Sequence, residues 1–422
     1  MVFGEGNTVM KDRAILHSDL NCFFASVETV LNPEYRGKAI AVCGSTEERH
    51  GIVLAKSEKA KRAGVKTGMV NRDALTLCPE LIIVPPQYEY YLKFSKFVRE
   101  IYYRYTDLIE PFGMDECWLD VTGSISLFGS ADQIAEEIRS TVKRELGLTV
   151  SIGVSFNKVF AKLGSDMKKP DAVTVITREN FRDKVWPLPV GDLLYAGRST
   201  VAKLNRMGVF TIGELAAISP EIIKSSLGKN GLSLISFARG EDSSRVMKCD
   251  FVSPVKSIGH GITCVSELKS EQEVWKVFLS LAQDIGHKLR LHAVRAAGIQ
   301  ITVKGEDLTY RQYQCPLHFP TQSPSAIART ALQLFRSNYT WAQTVRSLTV
   351  RAINLVPYNT ACQLDVFTDG AKIIRREKLD DTVDSIRMRF GKSAITAAVL
   401  LGDLKIPGET RVNTVMPKLM YR

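Results

Sequence analysis

Apolar positions change period twice near the start of the chain. Ala14, Ile15 and Leu16 lead through His17 and Ser18 to Asp19, after which Phe23, Phe24, Val27, Val30 and Leu31 recur at helical spacing. The pattern predicts a short strand ending in an acid, then an amphipathic helix capped by Asn21. Pro33 should stop that helix, because the residue before a proline avoids helical angles. Residues 52–55 read as a short strand and 57–63 as a basic helical stretch closed by Gly64, and residues 81–84 run into Pro85-Pro86. Residues 91–105 carry a helical period, and 108–112 and 117–121 read as two strands joined by the tight segment Gly113-Met114-Asp115-Glu116. A helix over 130–146 and a strand over 149–154 follow. The succession strand, helix, strand, strand, helix, strand fits a split βαβ sheet, with a small insertion between its first two parts.

Residues 193–217 are helical throughout in pattern, with Val201 and Leu204 on one face and Gly208 closing a turn. Near Asp250 the character changes, and strands such as 299–303 and 348–353 alternate with helices at 273–291 and 325–336. The predicted organisation is a multidomain α+β chain divided into 1–30, 31–86, 87–186, 187–250, 251–357 and 358–422.

At 422 residues the chain is too long for one compact core, and 45% hydrophobic with 24% charged residues is ordinary globular composition. No segment approaches the ~20 apolar residues of a membrane helix. The first twenty residues lack the apolar run of a secretory signal and contain Asp12 and Asp19. Eight scattered cysteines include no CxxC pair, which argues against zinc and for reduced thiols. A cytoplasmic protein without a membrane partner is expected. The formal net charge of +11 favours a polyanionic partner, although many basic proteins bind no nucleic acid. Residues 253–357 alone carry twelve Lys/Arg against six Asp/Glu. A basic α/β module suits a phosphate backbone, and a well-solvated surface accounts for it equally.

Three acids fall at predicted strand ends or turns: Asp19, Asp115 and Glu116. Two like charges ~4 Å apart repel by about 4 kcal/mol at an effective dielectric near 20, so converging carboxylates would need protons or cations. Mg²⁺ takes oxygen ligands and leaves room for substrate phosphates, and two such ions can hold both oxygens of an in-line displacement. The bland alternative is that Asp115-Glu116 is a hairpin turn and Asp19 a helix-entry acid. Asp120 alternates away from the cluster and is read as structural.

Residues 15–28, ILHSDLNCFFASVE, resemble the first catalytic motif of the Y-family DNA polymerases in their bacterial DinB/UmuC branch. Residues 113–120, GMDECWLD, resemble the second, usually S-x-D-E-x-(F/Y)-L-D, and 151–166, SIGVSFNKVFAKLGSD, followed by Lys168-Lys169-Pro170, resemble the third. The resemblance runs from about Ala14 to Pro357 and implies a right-hand polymerase. Its parts would be a ferredoxin-like palm (1–30 and 87–186), small fingers (31–86), a helical thumb with a helix-hairpin-helix (187–250) and an α/β little finger (251–357). Asp19, Asp115 and Glu116 would then bind two Mg²⁺ ions, with the Leu20 carbonyl as a further ligand. Phe24 falls at the steric-gate position, where an aromatic ring leaves no room for a 2′-hydroxyl; without the motif it would be a core aromatic. Cys22, Phe23, Phe24, Lys61 and Lys162 would contact the incoming nucleotide.

The usual N-Y-E-A-R fingers segment stands here as Ser57-Glu58-Lys59-Ala60-Lys61. Lys61 supplies the arginine's charge without its bidentate fork, and Glu58 replaces the tyrosine. Residues 193–215 resemble the thumb hairpin, whose backbone amides meet DNA phosphates, with Ala196-Gly197-Arg198 in place of G-x-G. Residues 256–263 resemble the start of the little finger, which makes the basic module a DNA grip. In the tail, Gln363, Leu364 and Phe367 lie in QLDVF, similar to the bacterial sliding-clamp peptide QLxLF. Residues 381–391 and 394–401 resemble a tail common in such proteins of Gram-positive bacteria.

The implied reaction is attack of a primer 3′-hydroxyl on the α-phosphate of a paired deoxynucleoside triphosphate on primer-template DNA. The 65 residues after Pro357 are too few for a proofreading domain, so errors are expected to persist, and small fingers suit lesion bypass. Stand-alone members and members needing accessory mutagenesis subunits share these motifs. The rival from another class is a catalytically inert, clamp-bound DNA scaffold, against which all three intact acids argue.

Overall fold

The computed structural model describes residues 12–47, 49, 51–361 and 369–407. They form two compact units, the first chiefly of 12–44 and 52–253, the second chiefly of 254–361 and 369–407.

The first unit opens with β1 (Ile15–Leu20), buried along its whole length. A small sheet follows, in which β2 (Ile40–Cys43) pairs antiparallel with β3 (Val53–Lys56) and parallel with β4 (Ile82–Val84). Its core is built of small side chains such as Ala39, Ala41, Ala60 and Ala74 beside Val53, so the helices Glu58–Arg62 and Asn71–Leu77 lie close to it. The chain then returns to the first strand through β5 (Ile109–Pro111), β6 (Glu116–Asp120), β7 (Val150–Ser155) and β8 (Val173–Ile176). The sheet order is β5-β6-β1-β7-β8, with β1 antiparallel to both β6 and β7. Its first four strands follow the split-βαβ order, and β8 extends the sheet by pairing parallel with β7.

Helices Tyr88–Tyr102 and Ala131–Leu146 bury Tyr91, Val98, Ile101 and Ile134, Ile138, Val142, the three-and-four spacing of an amphipathic face. Ser130 and Gln133 form a capping box at the start of the second helix, and Gly147 ends it at φ 67°. Helix Lys158–Met167 lies very close to β7 because Gly153 has no side chain; a Cβ there would stand 1.9 Å from the Ala161 carbonyl oxygen.

Asn21 does not cap the first helix. Cys22 holds that place in a left-handed conformation (φ 49°), while Asn21 donates to Ser151 Oγ at 2.9 Å and accepts from the Asp171 amide at 2.9 Å. A long-range staple between β1 and the motif around Lys169 thus replaces the local cap. Asp120 accepts from the Thr122 amide at 3.0 Å, a structural role as expected. Residues 193–217 are not helical throughout. Helices Arg198–Arg206 and Ile212–Ala217 are separated by a turn at Gly208 (φ 77°), and the segment before Arg198 is a loop with Tyr195 at φ 70°. Helix Pro220–Ala238 follows, broken in φ/ψ at Gly228.

The second unit is an antiparallel sheet of β9 (Ile258–Leu268), β10 (Val294–Gly305), β11 (Tyr310–Thr321) and β12 (Val345–Pro357), in the order β11-β10-β12-β9. Helices Glu271–Leu291 and Pro324–Asn338 pack on it through Val277, Phe278, Leu281, Ile285, Ile327 and Phe335. The edge strand β11, which the sequence reading did not name, presents Tyr313, Cys315, Leu317 and Phe319 on its more buried face in strict alternation. Helix Gly370–Phe390 is tied to this unit by Asp384, which accepts from Arg290 Nε at 2.7 Å, and Leu400 enters the core. Among the described residues no helix is long and apolar enough to cross a membrane.

Candidate active site

Strand pairing brings the acids together. Asp19 near the end of β1 stands opposite Glu116 at the start of β6, and directly opposed residues of an antiparallel pair share a face. The Leu20 amide donates to the Asp115 carbonyl at 3.0 Å, which fixes the hairpin acid alongside. Asp19, Leu20, Cys22, Phe23, Asp115 and Glu116 line a cleft of about 300 Å³. Its opposite wall comes from β3 and the helix after it, with Lys56, Glu58 and Lys61, and Lys169 also lines it.

The carboxylates already hold cations. Lys162 Nζ lies 3.3 Å from Asp19 Oδ2, 3.1 Å from Glu116 Oε1 and 3.1 Å from Asp166 Oδ2. Lys169 Nζ reaches the same Asp19 oxygen at 2.8 Å and Asp166 Oδ1 at 2.8 Å. Burial and the neighbouring charges of Glu116 and Asp19 push the Asp115 carboxyl up to about 6. Burial also works to raise Glu116, but the His17 hydrogen bond and the Lys162 charge prevail and hold it down at about 2. Burial lifts Asp19 above the usual carboxylate range against the pull of both lysines. For Lys162 burial is outweighed by Glu116, Asp19 and Asp166, which raise it and keep it charged.

His17, one pleat before Asp19, is fully buried behind this cluster. His17 Nδ1 lies 2.8 Å from Ser165 Oγ, and that hydroxyl also meets the Lys162 carbonyl at 2.7 Å. Nε2 faces Glu116 Oε2 at 3.5 Å, and burial lowers the imidazole's basicity.

The predicted nucleotide contacts divide. Cys22, Phe23 and Lys61 line the cleft, while Phe24 and Lys162 are not among its lining residues, Lys162 being held on the acids. Phe24 stacks on Tyr91 (centroids 4.2 Å apart, planes at 10°) and meets Tyr88 edge-on at 5.9 Å, so its ring is held from behind. Lys61 lies 3.5 Å from Glu58 Oε1. Gln363, Leu364 and Phe367 lie outside the described residues. Sequence reasoning missed His17, Asp166 and Lys169. The Lys168-Lys169-Pro170 segment was a usable signal for Lys169, whereas nothing local marks His17.

Among the described residues no three His, Cys, Asp or Glu side chains converge on one point at metal-ligand spacing. Asp19 and Glu116 are bridged by an ammonium instead, and Asp115 stays short of positive charge. An all-oxygen, anionic donor set with one under-compensated carboxylate fits a hard divalent cation such as Mg²⁺.

Comparison with known proteins places this geometry. The impB/mucB/samB family matches over residues 18–166, and its C-terminal domain over 255–366. DNA polymerase IV of Acetivibrio thermocellus is 49% identical over 391 residues, covering 93% of this chain and 98% of that protein. DNA polymerase IV of Pelotomaculum thermopropionicum is 36% identical, with 92% and 95% covered, and DNA polymerase IV 1 of Bacillus subtilis is 35% identical, with 93% and 94% covered. A solved Y-family DNA polymerase chimera of Dbh and Dpo4 shares the fold at a TM-score of 0.72 and 24% identity, over 82% of this chain and 99% of that one. With acids from two paired strands in one cleft and relatives matched almost end to end, the chain belongs to the impB/mucB/samB family, as a Y-family DNA polymerase of the DNA polymerase IV kind.

Proposed function

We propose that this polymerase adds deoxynucleotides to a primer 3′ end by two-metal nucleotidyl transfer, in translesion synthesis and DNA repair, without proofreading. The observation that carries the reading is the Asp19–Glu116 register with Asp115 beside it, in a cleft whose far wall is cationic. Asp19, Asp115, Glu116 and the Leu20 carbonyl would hold the two Mg²⁺ ions. Those ions, when bound, supply charge neutralisation for the attacking and leaving oxygens.

The chain's own groups do the rest. Lys162 and Lys169 neutralise the acids in their absence, and Lys169 and Lys61 are set to meet triphosphate oxygens as point charges. Lys162, held on Asp19 and Glu116, would be a further contact for the triphosphate. Cys22 and Phe23 form the surface beneath the nucleotide, and Phe24, braced by Tyr91, acts as the steric gate. Binding and orientation therefore precede charge stabilisation.

Outside the cleft, we assign the split-βαβ sheet to a ferredoxin-like palm, the β2–β4 insertion to small fingers and residues 187–250 to the thumb. The basic second unit is read as a little finger on the DNA backbone. Residues 363–367 would bind the sliding clamp in the cytoplasm, and dependence on accessory subunits is a property for the purified chain to reveal. Primer extension with Mg²⁺ is the test. Asp19→Ala and Glu116→Ala should each lower the rate by about a thousandfold or more; activity that survives either one overturns the site.

A further inference from the structure

The cationic wall of the cleft contains one anion that the reaction above does not use. Glu58, the first residue of helix Glu58–Arg62, lines the cleft between Lys56 and Lys61. Its Oε1 accepts from the Cys22 thiol at 3.2 Å and lies 3.5 Å from Lys61 Nζ. Cys22 lies in the turn that follows β1, the strand carrying Asp19 and Leu20, so this contact ties the small inserted sheet's helix to the end of β1 across the cleft. Lys56 is engaged elsewhere, donating to Thr67 Oγ1 at 2.9 Å.

We propose that Glu58 is a positioning residue that sets how tightly the cleft holds the nucleotide's triphosphate, by competing with the phosphates for Lys61. The proposal rests on the polymerase reading and deepens it. A triphosphate entering this cleft meets a fixed negative charge and must also take the Lys61 ammonium from it. Repulsion and competition act in the same direction and both weaken nucleotide binding. The Cys22 contact keeps the carboxylate in the cleft rather than in solvent. The local alternative is that Glu58 merely favours the start of its helix, where acids are stabilising. That role predicts lower stability on substitution and no gain in nucleotide affinity.

Single-nucleotide insertion kinetics separate the two. Glu58→Gln and Glu58→Ala both remove the charge, and the first keeps the side chain's shape. Either should lower KM for the deoxynucleotide roughly three- to tenfold, beyond what an exposed ion pair alone contributes because repulsion is also relieved. The kcat value should move less than twofold, and KM for primer-template should hold. In a Lys61→Ala background the same substitution should lower KM by a smaller factor than in the wild-type background, since the contested cation is gone and only the repulsion is left to relieve. A KM that is unchanged or raised in both single variants of an active enzyme overturns the proposal. A wild-type chain that extends no primer would defeat the polymerase reading as well, a result distinct from an unmoved KM.

Discussion

Lys158→Met offers a demanding test of how the active-site sheet is held. Lys158 Nζ lies 2.7 Å from Glu110 Oε2, with the two side chains only 7% and 4% exposed. The same carboxylate oxygen accepts from the Met247 amide at 3.0 Å, and the ammonium stands 4.4 Å from the Trp118 ring centroid. At 2.7 Å and an effective dielectric near 20 the pair attracts by about 6 kcal/mol, most of which offsets the desolvation of both ions. Removing the lysine abolishes the attraction but leaves the carboxylate buried, a loss of about 3–5 kcal/mol. Hydrogen exchange of the β5 and β6 amides, read by mass spectrometry, reports it locally. Exchange there should accelerate by about a hundred- to several-thousandfold. In Lys158→Met/Glu110→Gln the amide oxygen still serves Met247 and no charge is stranded, so most protection should return. Exchange within threefold of wild type in the single variant, or no recovery in the double, would refute the reasoning.

The other expectations are briefer. Phe24→Ala should admit ribonucleotides, and unchanged sugar discrimination in competitive insertion assays would count against the gate. Gly153→Ala would put a Cβ 1.9 Å from the Ala161 oxygen, so helix Lys158–Met167 must shift; kcat should fall at least about tenfold as Lys162 moves, and a wild-type rate would contradict this. In the second unit, burial works to raise Asp284, but hydrogen bonding to His260 and the Lys392 charge hold it at about 2. A carboxyl depressed in the folded state stabilises above its ordinary range and loses that stabilisation as pH falls from about 4 towards 2. Asp284→Asn should therefore cost about 2 kcal/mol at neutral pH and little at pH 2 in urea unfolding, and a pH-independent deficit would exclude the mechanism. Deleting residues 363–367 should abolish stimulation by the sliding clamp; loss of clamp-free synthesis would instead indicate a folding role.

Much of the catalytic strand framework was legible in the chain itself. The period change around Asp19, the two short strands flanking Asp115-Glu116 and the helices either side are local signals, because side-chain alternation and helical spacing are set by neighbours a few residues away. The resemblance to the family's motifs singled out Asp19, Asp115 and Glu116, which position alone left open. Other features depended on residues far apart in sequence. Asn21 has good capping chemistry, yet it bonds Ser151 and Asp171, since pairing of β1 with β7 brings those groups within reach. His17 looked like a strand residue and proves to face Glu116, and Lys162 looked like a phosphate contact and proves to bridge two acids. The edge strand β11 does carry a legible alternation, Tyr313, Cys315, Leu317 and Phe319 against Gln312, Gln314, Pro316 and His318, but which strand it pairs with is set by tertiary contact. Short-range period and motif order were fixed by the amino acids alone; partner choice, charge compensation and the second wall of the cleft were decided by tertiary contact, because they arise from strand register rather than from any one segment's preference.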